Sequence, residues 1–425
     1  MQTQSQPFSV HKFGGASVKN SEAVRNVGAL LKENLKGSAV VVVSAMGKTT
    51  NDLEDVFRFL NKDGLVSAQT QINSIIFSHE EIALELGIKV DLRGIFEKAL
   101  QIAHGLEDVD ARYDALVGAG EDASTRLLSE YLKSNDFDVK WSDAREIIIT
   151  DAKHRCARVD ESKIYDNGSE LRSTLSETSN RIIVTQGFVG RCPCGRTTTL
   201  GREGSDYSAA LLACAVGAKE VIIWKDVPGM LNADPSVFEN TETIKELDYA
   251  EALELSYYGA SVIHPRTIKP LQNEGIPLFV RSFVASEAPQ TRIASYPGQE
   301  PSLPMYISRP NVTLLSLGPS DYSFVGEDHL STLFDRLNKS GIHVRMMENS
   351  AVQFDLVFDE DKEKQNRFIE GLGNGFWTTA ENGLELLTMR YGGTELMDKL
   401  TAGREVVMEQ KNTSTQRRLL RSNKT

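Results

Sequence analysis

Short apolar runs alternate with longer amphipathic stretches from about Phe8 to Ser295. The runs Ala39 to Val43, Ile147 to Ile149, Arg181 to Thr185, Glu220 to Trp224 and Pro277 to Val280 are rich in β-branched residues. Continuously apolar strands separated by helical patterns predict a parallel sheet covered on both faces. The segment is expected to form a three-layer α/β domain with a mainly parallel sheet.

The pattern then changes. Residues 295–304 carry three prolines and a glycine and read as a linker. It divides a domain at 1–300 from a smaller region at 301–425. Asn311 to Leu317 reads as a strand. Glu327 to Ser340 has helical spacing, with Leu330, Leu333 and Leu337 on one face. His343 to Glu348 and Ala351 to Phe358 read as strands joined at Asn349 and Ser350. Lys362 to Leu372 suits a helix, and Leu384 to Arg390 a further strand. The order βαββαβ is the ferredoxin-like α+β pattern. Glu395 to Leu400 then offers a helix and Glu405 to Gln410 a strand, too little for a second full unit. The strand at 384–390 could serve both.

Composition narrows the class. A chain of 425 residues exceeds one ordinary core. With 40% hydrophobic and 25% charged residues it is expected to be globular and soluble. No apolar run approaches the roughly 20 residues that span a bilayer. Met1 to Ser9 is polar and lacks the apolar core of a signal peptide, so a cytoplasmic location is expected. The net charge of -12 would repel nucleic acid, and a site for any polyanion must be locally basic. The basic stretch Gln416 to Lys424 reads as a solvated tail.

Cys156, Cys192, Cys194 and Cys214 are the four cysteines. Cys192-Pro-Cys194-Gly195 lacks the further ligands of a structural zinc site, so no metal site is assigned. A reducing compartment argues against disulfides.

Five segments carry candidate chemistry. In Val10-His-Lys-Phe-Gly-Gly-Ala-Ser-Val18, two glycines follow a strand and precede a helix near Asn20. Their backbone N–H groups could approach an anion, with Lys12 as a mobile cation. The spacing is not that of a Walker P-loop. In Val43-Ser-Ala-Met-Gly-Lys-Thr-Thr-Asn51, hydroxyls follow a buried strand, where α/β sheets bind ligands. A plain helix cap by Thr50 or Asn51 competes with that reading. Glu121 follows Gly118-Ala-Gly120 and reads as a helix start, where a carboxylate suits the dipole or could grip an ammonium group. The segment Gly195 to Ala210 places three threonines, Arg202, Ser205 and Asp206 before an alanine-rich helix. Arg202 could clamp a carboxylate bidentately. In Ile222-Ile-Trp-Lys-Asp-Val-Pro-Gly-Met230, Lys225 and Asp226 could face nucleotide phosphates or their metal, or serve an ordinary turn.

Together these segments resemble the amino acid kinase family, in its aspartate kinase branch. Lys12-Phe-Gly-Gly-Ala-Ser-Val18 is similar to its opening signature, and Thr197-Thr-Thr-Leu-Gly-Arg-Glu-Gly-Ser-Asp206 to its aspartate loop. Trp224-Lys-Asp-Val-Pro-Gly229, Ala233-Asp-Pro235 and Gly259-Ala-Ser-Val-Ile-His-Pro265 follow in the expected order. The C-terminal region resembles an ACT regulatory domain, one unit complete and a second partial.

The resemblance implies ATP-dependent phosphorylation of the β-carboxylate of L-aspartate, with Mg2+ bridging the phosphates. Lys12 and Asp206 would be catalytic, Lys12 neutralising the transferring phosphoryl group. Gly14, Gly15, Ser44, Lys225 and Asp226 would lie on the nucleotide. Thr50, Glu121, Arg202 and Ser205 would serve the amino acid side, with Arg202 on the α-carboxylate, Glu121 near the amino group, and Ser205 organising the site with Asp206. Four positions depart from the family pattern: Ala16 for threonine, Glu203 for glycine, Ser236 for arginine and Ser261 for lysine. Arg266 or Lys269 could replace a missing cation. Another amino acid kinase, or a non-catalytic amino-acid-binding paralogue, is the alternative. An incomplete ACT unit leaves sheet edges open, so a homodimer through the C-terminal region is expected, with weak or no feedback by lysine or threonine.

Overall fold

The computed structural model describes residues 8–259, 263–296, 300–321 and 323–421. They fall into two compact units. The first contains residues 8–230, 243–257 and 263–296; the second contains 231–242, 258–259 and the described residues from 300 onward.

The first unit opens with β1 (Ser9–Phe13), α1 (Ser21–Asn34), β2 (Ala39–Val43) and α2 (Thr49–Lys62). Three helices follow, α3 (Leu65–Leu86), α4 (Leu92–Gly105) and α5 (Val109–Ser134). Next come β3 (Val139–Trp141), α6 (Ile164–Asn167), α7 (Ser169–Ser176), β4 (Ile182–Gln186) and the hairpin of β5 (Val189–Arg191) and β6 (Thr197–Thr199). The unit continues with α8 (Gly204–Val216), β7 (Glu220–Lys225), β8 (Glu246–Asp248), α9 (Tyr249–Tyr258), α10 (Pro265–Glu274), β9 (Leu278–Ser282) and β10 (Thr291–Ala294).

Eight strands form one sheet in the order β3-β4-β2-β1-β7-β9-β10-β8. Every pair is parallel except β9 with β10. The five residues of β2 are fully out of water, as strands covered on both faces must be. Alternate positions such as Phe13, Val41, Val43 and Trp224 join a core with Leu53, Ile72, Phe96 and Leu116 from α2 to α5. The intervening positions face the other side, where α8 packs against β1, β2 and β7. Strand order reverses at β1, which lies between β2 and β7. Ligands in such sheets bind beyond the strand ends at a reversal of this kind.

Two expected features of this unit are absent. Ile147 to Ile149 is not a strand; Ile149 makes only an isolated bridge to Arg191. Ile147 and Ile148 are buried in a turn, and three apolar residues carry too little periodicity to tell the two apart. Gly118-Ala-Gly120 does not start a helix, because it lies inside the 26-residue α5. A Cβ on Gly120 would stand 2.8 Å from Ala45 Cβ. The glycine therefore admits the loop after β2 against the helix.

The second unit has β11 (Met305–Pro319), α11 (Glu327–Ser340), β12 (Val344–Asn349), β13 (Phe354–Asp359), α12 (Lys362–Leu372), β14 (Phe376–Arg390), α13 (Gly393–Leu400), β15 (Val406–Lys411) and β16 (Thr415–Arg421). Its six-stranded sheet has the order β12-β13-β11-β14-β16-β15. The expected βαββαβ order is present, but its first and last strands, β11 and β14, which lie side by side at the centre of the sheet, are longer than the sequence pattern indicated. The 15-residue strands β11 and β14 pair along their length, with register shifts near Val312. Their one end packs with α11 and α12 through Leu315, Leu317, Leu333, Leu337, Phe358 and Phe368. Their other end continues into β16, β15 and α13, so 384–390 does serve both halves.

On the opposite face Val312, Met346, Val357, Leu384, Leu386, Met408 and Leu419 form a cluster drawn from all six strands. The sheet curls around it, and Gln410 Nε2 of edge strand β15 donates to the Met347 carbonyl of edge strand β12 at 2.5 Å. The basic stretch from Gln416 is no solvated tail: up to Arg421 it is strand β16. Arg418 is buried and pairs with Asp398 at 2.6 Å and Glu409 at 2.8 Å. Residues 422–425 lie outside the described residues.

Candidate active site

Two parallel strands bring the site's lysines together. Phe13 of β1 pairs in register with Trp224 of β7, so Lys12 and Lys225 emerge at neighbouring strand ends. Asp206, in the first turn of α8, lies between them. Its Oδ1 is 2.6 Å from Lys12 Nζ and its Oδ2 is 3.4 Å from Lys225 Nζ. The Lys12 and Asp206 side chains are only 11% and 3% exposed. Burial alone would raise the Asp206 carboxyl, but the charges of Lys12 and then Lys225 outweigh it and hold the group below the ordinary aspartate range.

Glu121 faces the same space from α5. Its Oε1 accepts from Ala45 N at 3.1 Å, and its Oε2 is buried without a hydrogen-bond donor. Burial is the chief cause that pushes its carboxyl up to about 8, against the opposing Ala45 amide. The loop after β2 is fixed to α5 a second time, by Ser124 Oγ donating to the Ser44 carbonyl at 2.8 Å. Next to Glu121, Asp122 accepts from Arg145 Nη2 at 2.5 Å and Gln186 Nε2 at 2.6 Å. This network holds the helix turn that carries Glu121.

These groups line one cavity of about 280 Å³, with Ser44, Thr50, Phe188, Gly201, Glu203, Gly204 and Ser205. The structure thus gathers Lys12, Ser44, Thr50, Glu121, Ser205, Asp206 and Lys225 from five separate segments. Thr50 is not a helix cap. It lies inside α2, whose cap position is Lys48.

Four expected residues stand outside the cavity lining: Gly14, Gly15, Arg202 and Asp226. Gly15 serves close packing, since a Cβ there would stand 2.7 Å from the Ala45 carbonyl oxygen. Gly14 lies beside the Lys12 amine, where a Cβ would be 3.4 Å from Nζ. Arg202 and Asp226 are exposed. Arg266 is committed elsewhere: Nη1 donates to the Leu200 carbonyl at 2.8 Å, and the guanidinium lies 4.6 Å from the Tyr207 ring centre. It anchors the start of the Gly201 to Ser205 loop. Lys269 is exposed. Ser236, in the second unit, closes a turn by donating to Asp234 from its amide and hydroxyl. Ser261 lies outside the described residues.

Sequence reasoning missed the cavity positions of Phe188 and Glu203. Phe188 carried no signal. Glu203 was visible as a charged residue inside a glycine-rich loop. Its Oε2 is buried without a hydrogen-bond donor, and burial raises its carboxyl despite the opposing charge of Lys225.

The cysteines correct a further expectation. Cys192 and Cys194 are joined as a disulfide across the turn of the β5–β6 hairpin, which sets their Cα atoms 5.3 Å apart. Among the described residues no three His, Cys, Asp or Glu side chains converge as a metal cage. Magnesium needs less, because it takes one or two carboxylates and completes its shell with phosphate oxygens and water. The unpartnered Glu203 oxygen fits that requirement. No described helix is long and apolar enough to cross a membrane.

The sequence profile of the amino acid kinase family matches residues 7–282. A bifunctional aspartokinase/homoserine dehydrogenase of Daucus carota is 34% identical over 301 residues, which cover 67% of this chain and 32% of the relative. Lysine-sensitive aspartokinase 3 of Escherichia coli is 32% identical over 359 residues, covering 82% and 78% of the two chains. The crystal structure of E. coli aspartokinase III in complex with aspartate and ADP has a TM-score of 0.79 at 29% identity, covering 97% of this chain and 96% of that one. The chain spans only 32% to 42% of the length of the first plant bifunctional relatives it matches.

Proposed function

Because the chain belongs to the amino acid kinase family, and within it to the aspartokinases, we propose that it phosphorylates the β-carboxylate of L-aspartate with ATP. The observation that carries this reading is the arrangement around Asp206. Two lysines at the ends of adjacent strands point at one spot, and the unpartnered Glu121 oxygen lies across the same cavity. A phosphate chain suits the lysines, and an amino acid's ammonium suits Glu121. The relative whose structure holds aspartate with ADP supports the same pairing of ligands.

The chemistry asks little of the protein beyond placement. The aspartate β-carboxylate is ionised near neutral pH, so no general base is needed. Its oxygen forms a bond to the γ-phosphorus as the bond to the β-phosphate oxygen breaks. The products are ADP and 4-phospho-L-aspartate, an acyl phosphate on the route to lysine, threonine and methionine. Lys12 neutralises charge on the phosphoryl group in flight. Asp206 keeps that amine aimed into the cavity, and Ser205 and the α8 N-terminus add donors. Lys225, Ser44 and the Gly14–Gly15 turn serve the nucleotide, with Asp226 beside them. Thr50, Glu121 and Arg202 hold the amino acid. Magnesium, when bound with the nucleotide, offsets charge on its phosphates. Both substrates are intracellular metabolites, which supports a cytoplasmic site of action.

Residues 1–300 would then be the catalytic domain and 301–425 an ACT-like region. Phe324, Phe334, Met347 and Val352 are exposed in the second unit, and association through this region would cover such surface. A homodimer is therefore proposed, to be read by sedimentation of the full chain; a monomer would defeat it. Among the described residues one ACT-like unit is complete, and on that ground inhibition by lysine or threonine is proposed to be weak or absent.

The functional reading is tested with ATP, magnesium and a panel of aspartate, glutamate and N-acetylglutamate, following ADP release. Turnover with aspartate alone supports it. Preference for another acceptor would reassign the substrate, and no turnover with any would favour an amino-acid-binding paralogue.

A further inference from the structure

Glu203 occupies a position that its backbone does not account for. It precedes α8 with φ 52° and ψ 28°, a left-handed conformation that glycine adopts at lower cost. Its side chain makes no capping bond to the helix. It instead lines the cavity beside Ser205, Asp206 and Lys225, and Oε2 is buried with no donor. A buried carboxylate oxygen left without a partner is costly, so the cavity's occupant is expected to satisfy it.

The charges say what kind of occupant. The cavity lining sets the carboxyls of Glu203 and Asp206 against two lysines, Glu121 being protonated in the free protein below about pH 8. Both lysines are drawn to Asp206. Bringing a nucleotide's phosphates to such a surface sets anion against anion unless a cation enters with them. The charges acting most strongly on Glu203 are those of Lys225, Asp206, Arg202 and Lys12. Two of these, Lys225 and Lys12, are the cations that the proposed function sets on the phosphates. A hard divalent cation typically binds through one or two carboxylates together with phosphate oxygens and water. We propose that Glu203 directly ligates the divalent cation that accompanies the nucleotide. The proposal rests on the reading of this cavity as a nucleotide site.

The test measures ADP binding to the full chain by calorimetry, in EDTA and in saturating Mg2+, for the wild type, Glu203→Gln and Glu203→Gly. Glycine suits the left-handed backbone and glutamine keeps the shape, so at least one folded variant is available; a melting curve identifies it. Magnesium is expected to tighten ADP on the wild type by at least about tenfold. That gain should shrink by on the order of tenfold in the variants, in line with the loss of one metal-holding group. In EDTA the variants should bind ADP as well as or better than the wild type, because a repelling charge has gone. Manganese titrated into the ADP complex and followed by electron paramagnetic resonance should be held correspondingly more weakly by Glu203→Gln. An unchanged magnesium gain in a folded variant overturns the role of Glu203 alone. Failure of the wild type to bind ADP in either condition overturns the nucleotide reading and this inference with it.

Discussion

Lys12 Nζ and Asp206 Oδ1 meet at 2.6 Å in a setting almost closed to water. The pair is formed by the end of one strand and the first turn of a helix 194 residues later in the chain, by the difference of the two residue numbers. Replacing Lys12 with methionine keeps most of the side chain's length and removes its charge. If that charge acts on the phosphoryl group in flight, kcat should fall by on the order of a hundredfold or more, with smaller changes in KM. Near wild-type kcat would remove Lys12 from the mechanism. Asp206→Asn should also slow turnover, because it leaves the two amines to repel each other; the Lys12 variant is the cleaner test.

Glu121 makes the site sensitive to pH. Its carboxyl is pushed up to about 8, chiefly by burial, so below that pH the free protein holds it protonated. Pairing with a substrate ammonium requires the ionised form. KM for aspartate is therefore expected to fall as pH rises toward 8, and binding near pH 7 should release a proton. The raised value also means that the folded state gains from this proton at low pH. That contribution is full below the ordinary glutamate value of about 4.5 and is lost as pH rises through about 8. Glu121→Gln should flatten both profiles. Aspartate kinetics and melting temperatures measured from pH 5 to 9 check the two effects separately.

Arg202 is exposed and outside the cavity lining, yet it lies in the loop between Gly201 and Glu203, which both line it. A role on the α-carboxylate requires the side chain to swing inward when aspartate binds. Arg202→Ala should then raise KM for aspartate, with a cost of roughly 2–5 kcal/mol for deleting one partner of a charge-assisted contact. KM for ATP should change little. An effect confined to ATP would move Arg202 to the other substrate.

Gly120 tests the packing that delivers Glu121. Alanine is the better helix former by about 1 kcal/mol. At this position its Cβ would meet Ala45 Cβ at 2.8 Å and Leu53 Cδ1 at 3.3 Å, and overpacking costs roughly 1–3 kcal/mol. Gly120→Ala should lower the melting temperature and raise KM for aspartate. Gly105→Ala, with open space around it, should do neither. A Gly120→Ala protein as stable and active as the wild type would mean that the loop after β2 is not held tightly against α5.

Much of this was legible in the chain itself. The valines of β2 and the apolar runs of β4 and β7 are buried on both faces, which leaves the continuously apolar pattern of covered parallel strands, while β9 alternates buried and half-buried positions. Lys12, Glu121, Asp206 and Lys225 were each visible as charges next to glycines or strand ends. What the sequence hid was contact between distant segments. Gly118 and Gly120 looked like a helix start because the reason for small residues, Ala45 and Val189 across the gap, is not local. Gln416 to Arg421 looked like a tail because the partners of Arg418 become visible only once β15, β16 and α13 are packed. The disulfide follows from the hairpin turn that brings Cys192 and Cys194 together, a contact that composition and compartment do not reveal.

Hydroxylamine trapping reads directly which oxygen receives the phosphoryl group. Incubated with ATP, magnesium, L-aspartate and hydroxylamine, the protein should form β-aspartyl hydroxamate, identified by mass spectrometry against both isomers, in step with ADP. The α-hydroxamate, or ADP released with no hydroxamate, would contradict the account.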